Sequence, residues 1–205
     1  MRVRSLPLRD QAGTIVGAAE IFAPDRDAPE AARRIAELEE LAYLDALTAL
    51  PNRRYLQSQL EQRLGELQRY GWPFGAVLLD VDHFKNVNDV FGHPTGDRVL
   101  TMVAKTLELA TRPFDLVGRW GGEEFLAVVT NIDLESLTAV ADRFRALVRT
   151  SSLTDTPSPI SVTVSAGATL ANLEDDPESI LQRVDRLLYR SKEEGRDRTS
   201  VEQPG

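Results

Sequence analysis

The sequence predicts an α+β fold, an antiparallel sheet flanked by helices in the core order βαββαβ. Three observations lead there. From residue 74 onward, short apolar runs alternate with longer amphipathic stretches in that order. Two of the runs lie close together around a glycine pair, a turn signal that makes them a hairpin, whereas helical stretches join the others. Finally, 42% of the 205 residues are hydrophobic and 27% are charged, a balance that supports a packed core and argues against global disorder.

Taken in order, residues 3–22 read as a hairpin. Asp10-Gln11-Ala12-Gly13 carries the turn chemistry, and 14–22 is its second strand. Two strands cannot hold a core in water, so this is a piece of a larger domain or a docking arm. Residues 23–29 are polar with two prolines and form a linker. A helix follows over 30–47. Ile35, Leu38 and Ala42 have a/d spacing over about two heptads, which suits either a parallel dimer or a helix packed on its own domain. Leu50-Pro51-Asn52 ends it, because proline disfavours helix at the residue before it. Asn52 can cap the next helix, 53–70. Residues 74–79 form a buried strand ending at Asp80. Next come a helix at 96–111, strands at 116–120 and 125–129 around Gly121-Gly122, and a helix at 134–148. A strand at 160–170 and a helix at 177–192, with Pro177 in its first turn, complete the core. This order is the ferredoxin-like pattern that polymerase palms also use.

Composition limits the chemistry. The net charge of −8 argues against broad nucleic-acid binding, so an anionic ligand needs local cations or a metal. The absence of cysteine excludes disulfides, thiolate nucleophiles and Cys-ligated metals, and two histidines, His83 and His93, are too few to expect a multi-histidine site. No apolar run approaches a membrane span and there is no signal-peptide pattern, so the expected compartment is the cytoplasm.

Two acidic clusters stand on strand ends that this topology makes neighbours: Asp80-Val81-Asp82, and Glu123-Glu124 beside the glycine pair. Clustered carboxylates without histidine suit a hard cation such as Mg²⁺ (or Mn²⁺) that also binds substrate phosphates. A lone Asp-x-Asp is more often a pair of solvated turn acids. Gly121 and Gly122 can take positive φ and leave no side chain above the turn, so a nucleotide can lie on the backbone. Between the clusters lie Lys85, Asn88, His93 and Asp97. An Asn and an Asp can read the edge of guanine, although capping a helix is the commoner use of either. Lys85, Lys192 and Arg196 are cations able to hold phosphates, or ordinary surface charges.

In sum these motifs resemble the GGDEF-domain diguanylate cyclases, over about Asp45 to Arg198. The ordered matches are Asp45-Ala46-Leu47-Thr48 with Leu50-Pro51-Asn52-Arg53-Arg54, then Asp80-Val81-Asp82-His83-Phe84-Lys85-Asn86-Val87-Asn88-Asp89, and Gly92-His93-Pro94-Thr95-Gly96-Asp97. Gly121-Gly122-Glu123-Glu124-Phe125 follows in the acidic variant, and then Ser165-Ala166-Gly167 and Asp185 to Lys192 with Gly195-Arg196. The resemblance implies a reaction in which two GTP condense to cyclic di-GMP with release of two pyrophosphates, across a homodimer. It further implies that Asp80, the Val81 carbonyl and Glu123 bind Mg²⁺. Glu123 would also help deprotonate the attacking 3′-hydroxyl, and Glu124 would help with the metal or the substrate. Asn88 and Asp97 would read guanine with His93 nearby, over Gly121 and Gly122, and Lys85, Lys192 and Arg196 would hold the triphosphate. Arg112-Pro113-Phe114-Asp115 lies where the family's product-inhibition site sits, close to the catalytic face, with Arg143 in support. His83, Ser191 and Asp197 depart from the usual aromatic, alanine and asparagine. The stretch 7–17 is similar to the last two strands of a PAS sensor domain, a C-terminal remnant of one. The expected organisation is therefore a hairpin at 1–24, a linker and signalling helix at 25–47, the cyclase domain at 48–200 and a tail at 201–205. A catalytically inactive receptor for cyclic di-GMP is the competing expectation.

Overall fold

The computed structural model describes residues 2–9, 15–23 and 43–202, except 155 and 157. The chain forms two compact units, one up to Ala42 and one from Tyr43. In the first, β1 (Arg2–Arg9) pairs antiparallel with β2 (Ile15–Ala23), as the turn residues between them predict. The helix expected over 30–47 falls outside the described residues up to 42, and its expected last turn is not helical. There Asp45 accepts hydrogen bonds from the Thr48 N–H (2.9 Å) and hydroxyl (2.8 Å), folding the chain into a tight turn instead.

In the second unit, α1 (Arg53–Tyr70) starts where Asn52 accepts from the Tyr55 N–H and stops at Gly71 in the left-handed region. β3 (Phe74–Val81) follows, then α2 (Phe84–Phe91) and α3 (His93–Ala110). After these come β4 (Leu116–Gly121), β5 (Glu124–Thr130), α4 (Leu134–Thr150), β6 (Val164–Leu170), α5 (Pro177–Glu193) and β7 (Thr199–Glu202). The sheet order is β4-β5-β3-β6-β7. All neighbours are antiparallel except β6 and β7, which are parallel.

Burial explains the order. Every residue of β3 is buried, because helices cover both faces of the sheet. Val77, Leu79 and Val81 face a core with Val99, Val103, Leu107 and Phe144, from α3 and α4. Ala76 and Leu78 face the other core, with Leu56, Leu60, Ile180 and Val184 from α1 and α5. The strand period of two therefore carries Asp80 toward the α1–α5 face. Gly167 lets α5 lie against β6, since a Cβ there would sit 2.3 Å from the Val184 carbonyl oxygen. That contact sets the height at which the end of α5 meets the sheet.

Three expectations are corrected. The helix expected from residue 96 begins at His93, and a separate short helix, α2, precedes it. The strand expected from Ile160 begins at Val164, because Ile160 exchanges backbone hydrogen bonds with Leu153 instead. In the hairpin, Gly121 already pairs with Glu124, so the turn residues are Gly122 and Glu123 and only Gly122 has positive φ (51°). A register shift between Arg119 and Gly121 bulges the strand just before that turn.

Candidate active site

The first acidic cluster separates into two roles. Asp82, 4% exposed, accepts from Thr163 Oγ1 (2.7 Å), Ser165 Oγ (2.7 Å) and the Asp197 N–H (3.1 Å). It fastens β3 to β6 and to the loop that carries Arg196. Asp80 instead sits directly across from Glu124 in the β3–β5 ladder, and the Val81 N–H donates to the Glu123 carbonyl (3.2 Å). Lys192, in the last turn of α5, reaches Asp80 Oδ2 at 2.8 Å. Asp80, Glu123, Glu124 and Lys192 thus converge at one end of the sheet, and the positive charge of Arg196 is felt at Asp80.

The electrostatics are those of a site short of cations. Burial raises the Asp80 carboxyl above its ordinary range, although Lys192 pulls it down, and the charge of Asp82 adds to the rise. Burial and then the charge of Asp80 raise both Glu123 and Glu124. Among the described residues no three acidic or histidine side chains form a ready-made metal cage. Two hard carboxylates and a carbonyl fit Mg²⁺ in the manner usual for it, with phosphate oxygens and water completing the shell.

On the other side of the turn lies a cavity of about 490 Å³. Lys85, Asn88, His93 and Asp97 line it, over Phe84 and Leu100, with Gly122 and Glu123 at its edge. Glu123 therefore belongs both to the carboxylate cluster and to the cavity. Lys85 stands with Asn88 and Asp97 in this cavity. Neither Asn88 nor Asp97 caps a helix: the residues before α2 and α3 are His83 and Gly92, without side-chain caps. Gly96 makes the arrangement possible, because a Cβ there would lie 2.0 Å from Asn88 Oδ1. Above Gly121 and Gly122 the space is open, as a ligand on the backbone requires.

Arg119 was not singled out in the sequence. Its guanidinium donates to the Gly122 carbonyl from Nε (3.0 Å) and Nη2 (2.7 Å), and to Asp45 at 3.1 and 3.3 Å. It holds the turn that carries Glu123 and ties it to the segment entering the domain. Its position two residues before the glycine pair was the available signal. Of the three departures noted above, Ser191 and Asp197 have side-chain partners, and His83 is marked by its backbone. His83 takes a left-handed conformation (φ 58°), Ser191 donates to the Ala166 carbonyl (2.7 Å), and Asp197 accepts from Arg145 (2.9 Å).

Arg112 and Asp115 lie at the end of the β4–β5 hairpin away from the catalytic turn, not close to the catalytic face as expected. Six strand residues separate the two ends, roughly 20 Å. Asp115 accepts from the Thr130 N–H (2.9 Å), and Arg143 donates from Nη2 to the Ala110 carbonyl (3.0 Å) rather than lining the cavity at Arg112.

The family model "Diguanylate cyclase, GGDEF domain" matches residues 42–198. The chain belongs to the GGDEF diguanylate cyclase family. This GGDEF domain is 37% identical to the diguanylate cyclase DgcP of Pseudomonas aeruginosa over 86% of this chain and 26% of that protein. The chain spans between about a quarter and under half of the curated relatives it resembles. Among solved structures it is similar to the coiled coil and GGDEF domain of DgcB from Caulobacter crescentus in complex with c-di-GMP. The TM-score is 0.81 at 27% identity, covering 86% of this chain and 94% of that one. It is also similar to the active GGEEF domain of a diguanylate cyclase from Vibrio cholerae, with TM-score 0.70 and 30% identity over 76% of this chain and 99% of that one. Among the described residues no helix is long and apolar enough to cross a membrane.

Proposed function

We propose that this domain is a diguanylate cyclase: two GTP condense to cyclic di-GMP with release of two pyrophosphates, in a homodimer that places one site opposite the other. The observation that carries this reading is Glu123, which joins an acidic, lysine-flanked strand end to a cavity equipped with Asn88 and Asp97. Asn88 and Asp97 would pair the guanine edge, with His93 beside them, and adenine would leave these groups unsatisfied. Gly121 and Gly122 leave the backbone bare beneath the nucleotide. Lys192 and Arg196 would receive the phosphates, with Lys85 assisting from the cavity. Asp80, the Val81 carbonyl and Glu123 would hold Mg²⁺ or Mn²⁺. When bound, that cation neutralises the triphosphate and favours attack at the reacting phosphorus. Glu123, at the edge of the cavity, would also help remove the 3′-hydroxyl proton, with Glu124 supporting the metal or the substrate.

Product inhibition would act through Arg112 and Asp115. From the far end of the hairpin it would work by holding domains in an unproductive arrangement rather than by blocking the carboxylates, with Arg143 a supporting cation from α4. Ile35, Leu38 and Ala42 would provide the dimer handle, and the N-terminal hairpin, as a PAS remnant, would be the input end. The receptor alternative leaves the retained Glu123-Glu124 pair without use. Incubation with GTP and Mg²⁺ followed by chromatography decides between them: cyclic di-GMP and pyrophosphate are expected, and binding without product would support the receptor.

A further inference from the structure

At the hairpin end away from the catalytic turn, a cavity of about 550 Å³ is lined by Trp72, Phe114, Arg63, Glu66, Arg112 and Asp115. Two of these are aromatic and open to solvent: Trp72 is 59% exposed and Phe114 83%. The local backbone puts them there. Gly71 turns the chain out of α1 in the left-handed region, and Phe74 is already buried in β3, so Trp72 lies in a short exposed connection. The Tyr70 ring braces it, with centroids 5.0 Å apart. On the opposite strand end, the Asp115 N–H donates to the Arg112 carbonyl (3.0 Å) while Thr130 holds the Asp115 carboxylate. That tight turn leaves Phe114 at its outside.

Single exposed apolar residues are ordinary and need no explanation. Two aromatic side chains lining one cavity, beside a guanidinium, are a different observation. Arg63 is matched by Glu66 at 2.7 Å, whereas the Arg112 guanidinium makes no hydrogen bond or ion pair among the described residues. The cavity therefore offers flat apolar faces, one uncommitted planar cation and carboxylates able to accept N–H groups. That combination suits a heteroaromatic ring that donates at its edge and carries a phosphate, which describes a guanine nucleotide.

We propose that Trp72 and Phe114 are stacking surfaces for a guanine base of cyclic di-GMP, forming an aromatic subsite that extends the Arg112–Asp115 site. The inference rests on the product-site reading given above. Stacking on an aromatic side chain is tolerant of the exact base but depends on the ring, so the conservative variant separates it from a packing effect.

The test is titration calorimetry of the full chain with cyclic di-GMP, together with tryptophan emission. W72A and F114A are each expected to weaken product binding about tenfold, whereas W72F retains most of the affinity. Product is expected to quench the emission of the parent, and W72F, which leaves Trp120 as the remaining tryptophan, should lose that quenching. Unchanged affinity in R112A would overturn the product-site reading and the subsite with it. Lost affinity in R112A with parental affinity in W72A and F114A would overturn the aromatic subsite alone. So would a change in sedimentation without a change in product affinity, because the patch would then be a contact with a second copy of the chain.

Discussion

Two aspartates of this domain are equally hidden and electrostatically opposite. Asp80 and Asp175 are each 6% exposed, and each meets a cation from α5. Around Asp175 the donors are complete. Arg183 donates from both terminal nitrogens, the Asn172 N–H donates at 2.8 Å and the Ser179 hydroxyl at 2.9 Å. Burial alone would raise its carboxyl, but these partners outweigh burial and hold it below the ordinary range. Asp80 has one lysine, and its other close charges include Asp82, Glu123 and Glu124, so burial prevails and its carboxyl is raised. A buried acid with a full set of donors fastens the fold. A buried acid kept among other acids is a standing electrostatic cost that a cationic ligand removes, and such costs gather where chemistry is done.

The largest expected effect sharpens this contrast. Glu123→Gln should lower cyclic di-GMP formation by about 10³-fold or more, because the amide neither accepts the proton nor binds a hard cation well. Its melting temperature without ligand should be unchanged or higher, since a repelled charge has been removed. Near-parental turnover measured by product chromatography would break the assignment.

Asp175→Ala should do the reverse. It leaves the Arg183 guanidinium, 15% exposed, without its carboxylate, at a cost of about 3–5 kcal/mol in urea unfolding. Turnover per folded molecule should stay near that of the parent. If stability were unaffected, the two aspartates would not differ as described.

Arg119→Ala tests whether the catalytic end needs a fastener of its own. The Gly122 carbonyl and Asp45 would both lose their shared partner, so the turn holding Glu123 should loosen. Turnover should fall by roughly 10²-fold, the scale of a small misplacement of reacting groups, with little change in KM for GTP. A matched change in KM alone would mean that Arg119 binds substrate rather than positioning the turn.

The smallest effect is in the pH dependence of stability without ligand. The raised carboxyls of Glu123 and Glu124 keep protons that the unfolded chain has lost. Stability therefore falls as pH rises from the ordinary carboxyl range through their folded-state values, and the Glu123→Gln/Glu124→Gln double variant should show less of that fall. For Asp175 the contribution is present above the ordinary range and lost as pH falls through its lowered folded-state value, so Asp175→Ala should lack that acid-side loss. Parallel pH profiles for parent and variants in denaturant titrations would contradict both directions.

What the sequence determined by itself was carried by strong local signals. The apolar run of β3 and the Asn52 cap and Gly71 stop of α1 each dictate their own conformation, and the glycine pair marked the β4–β5 hairpin although the turn itself is Gly122-Glu123. The motif residues Asp80, Glu123, Asn88 and Asp97 were visible as chemistry before any geometry. Weak or non-local signals were decided by tertiary contacts. Thr199–Glu202 is too short for any periodicity and becomes β7 only by pairing with β6. Phe84–Phe91 holds two asparagines and an aspartate in eight residues, and is helical because Phe84 and Val87 are buried against the core. The division of Asp80 from Asp82, the reach of Lys192 to Asp80, the strut formed by Arg119 and the placing of Arg112 far from the catalytic turn were likewise decided there. Each depends on residues distant in sequence, and only packing fixes their separation in space.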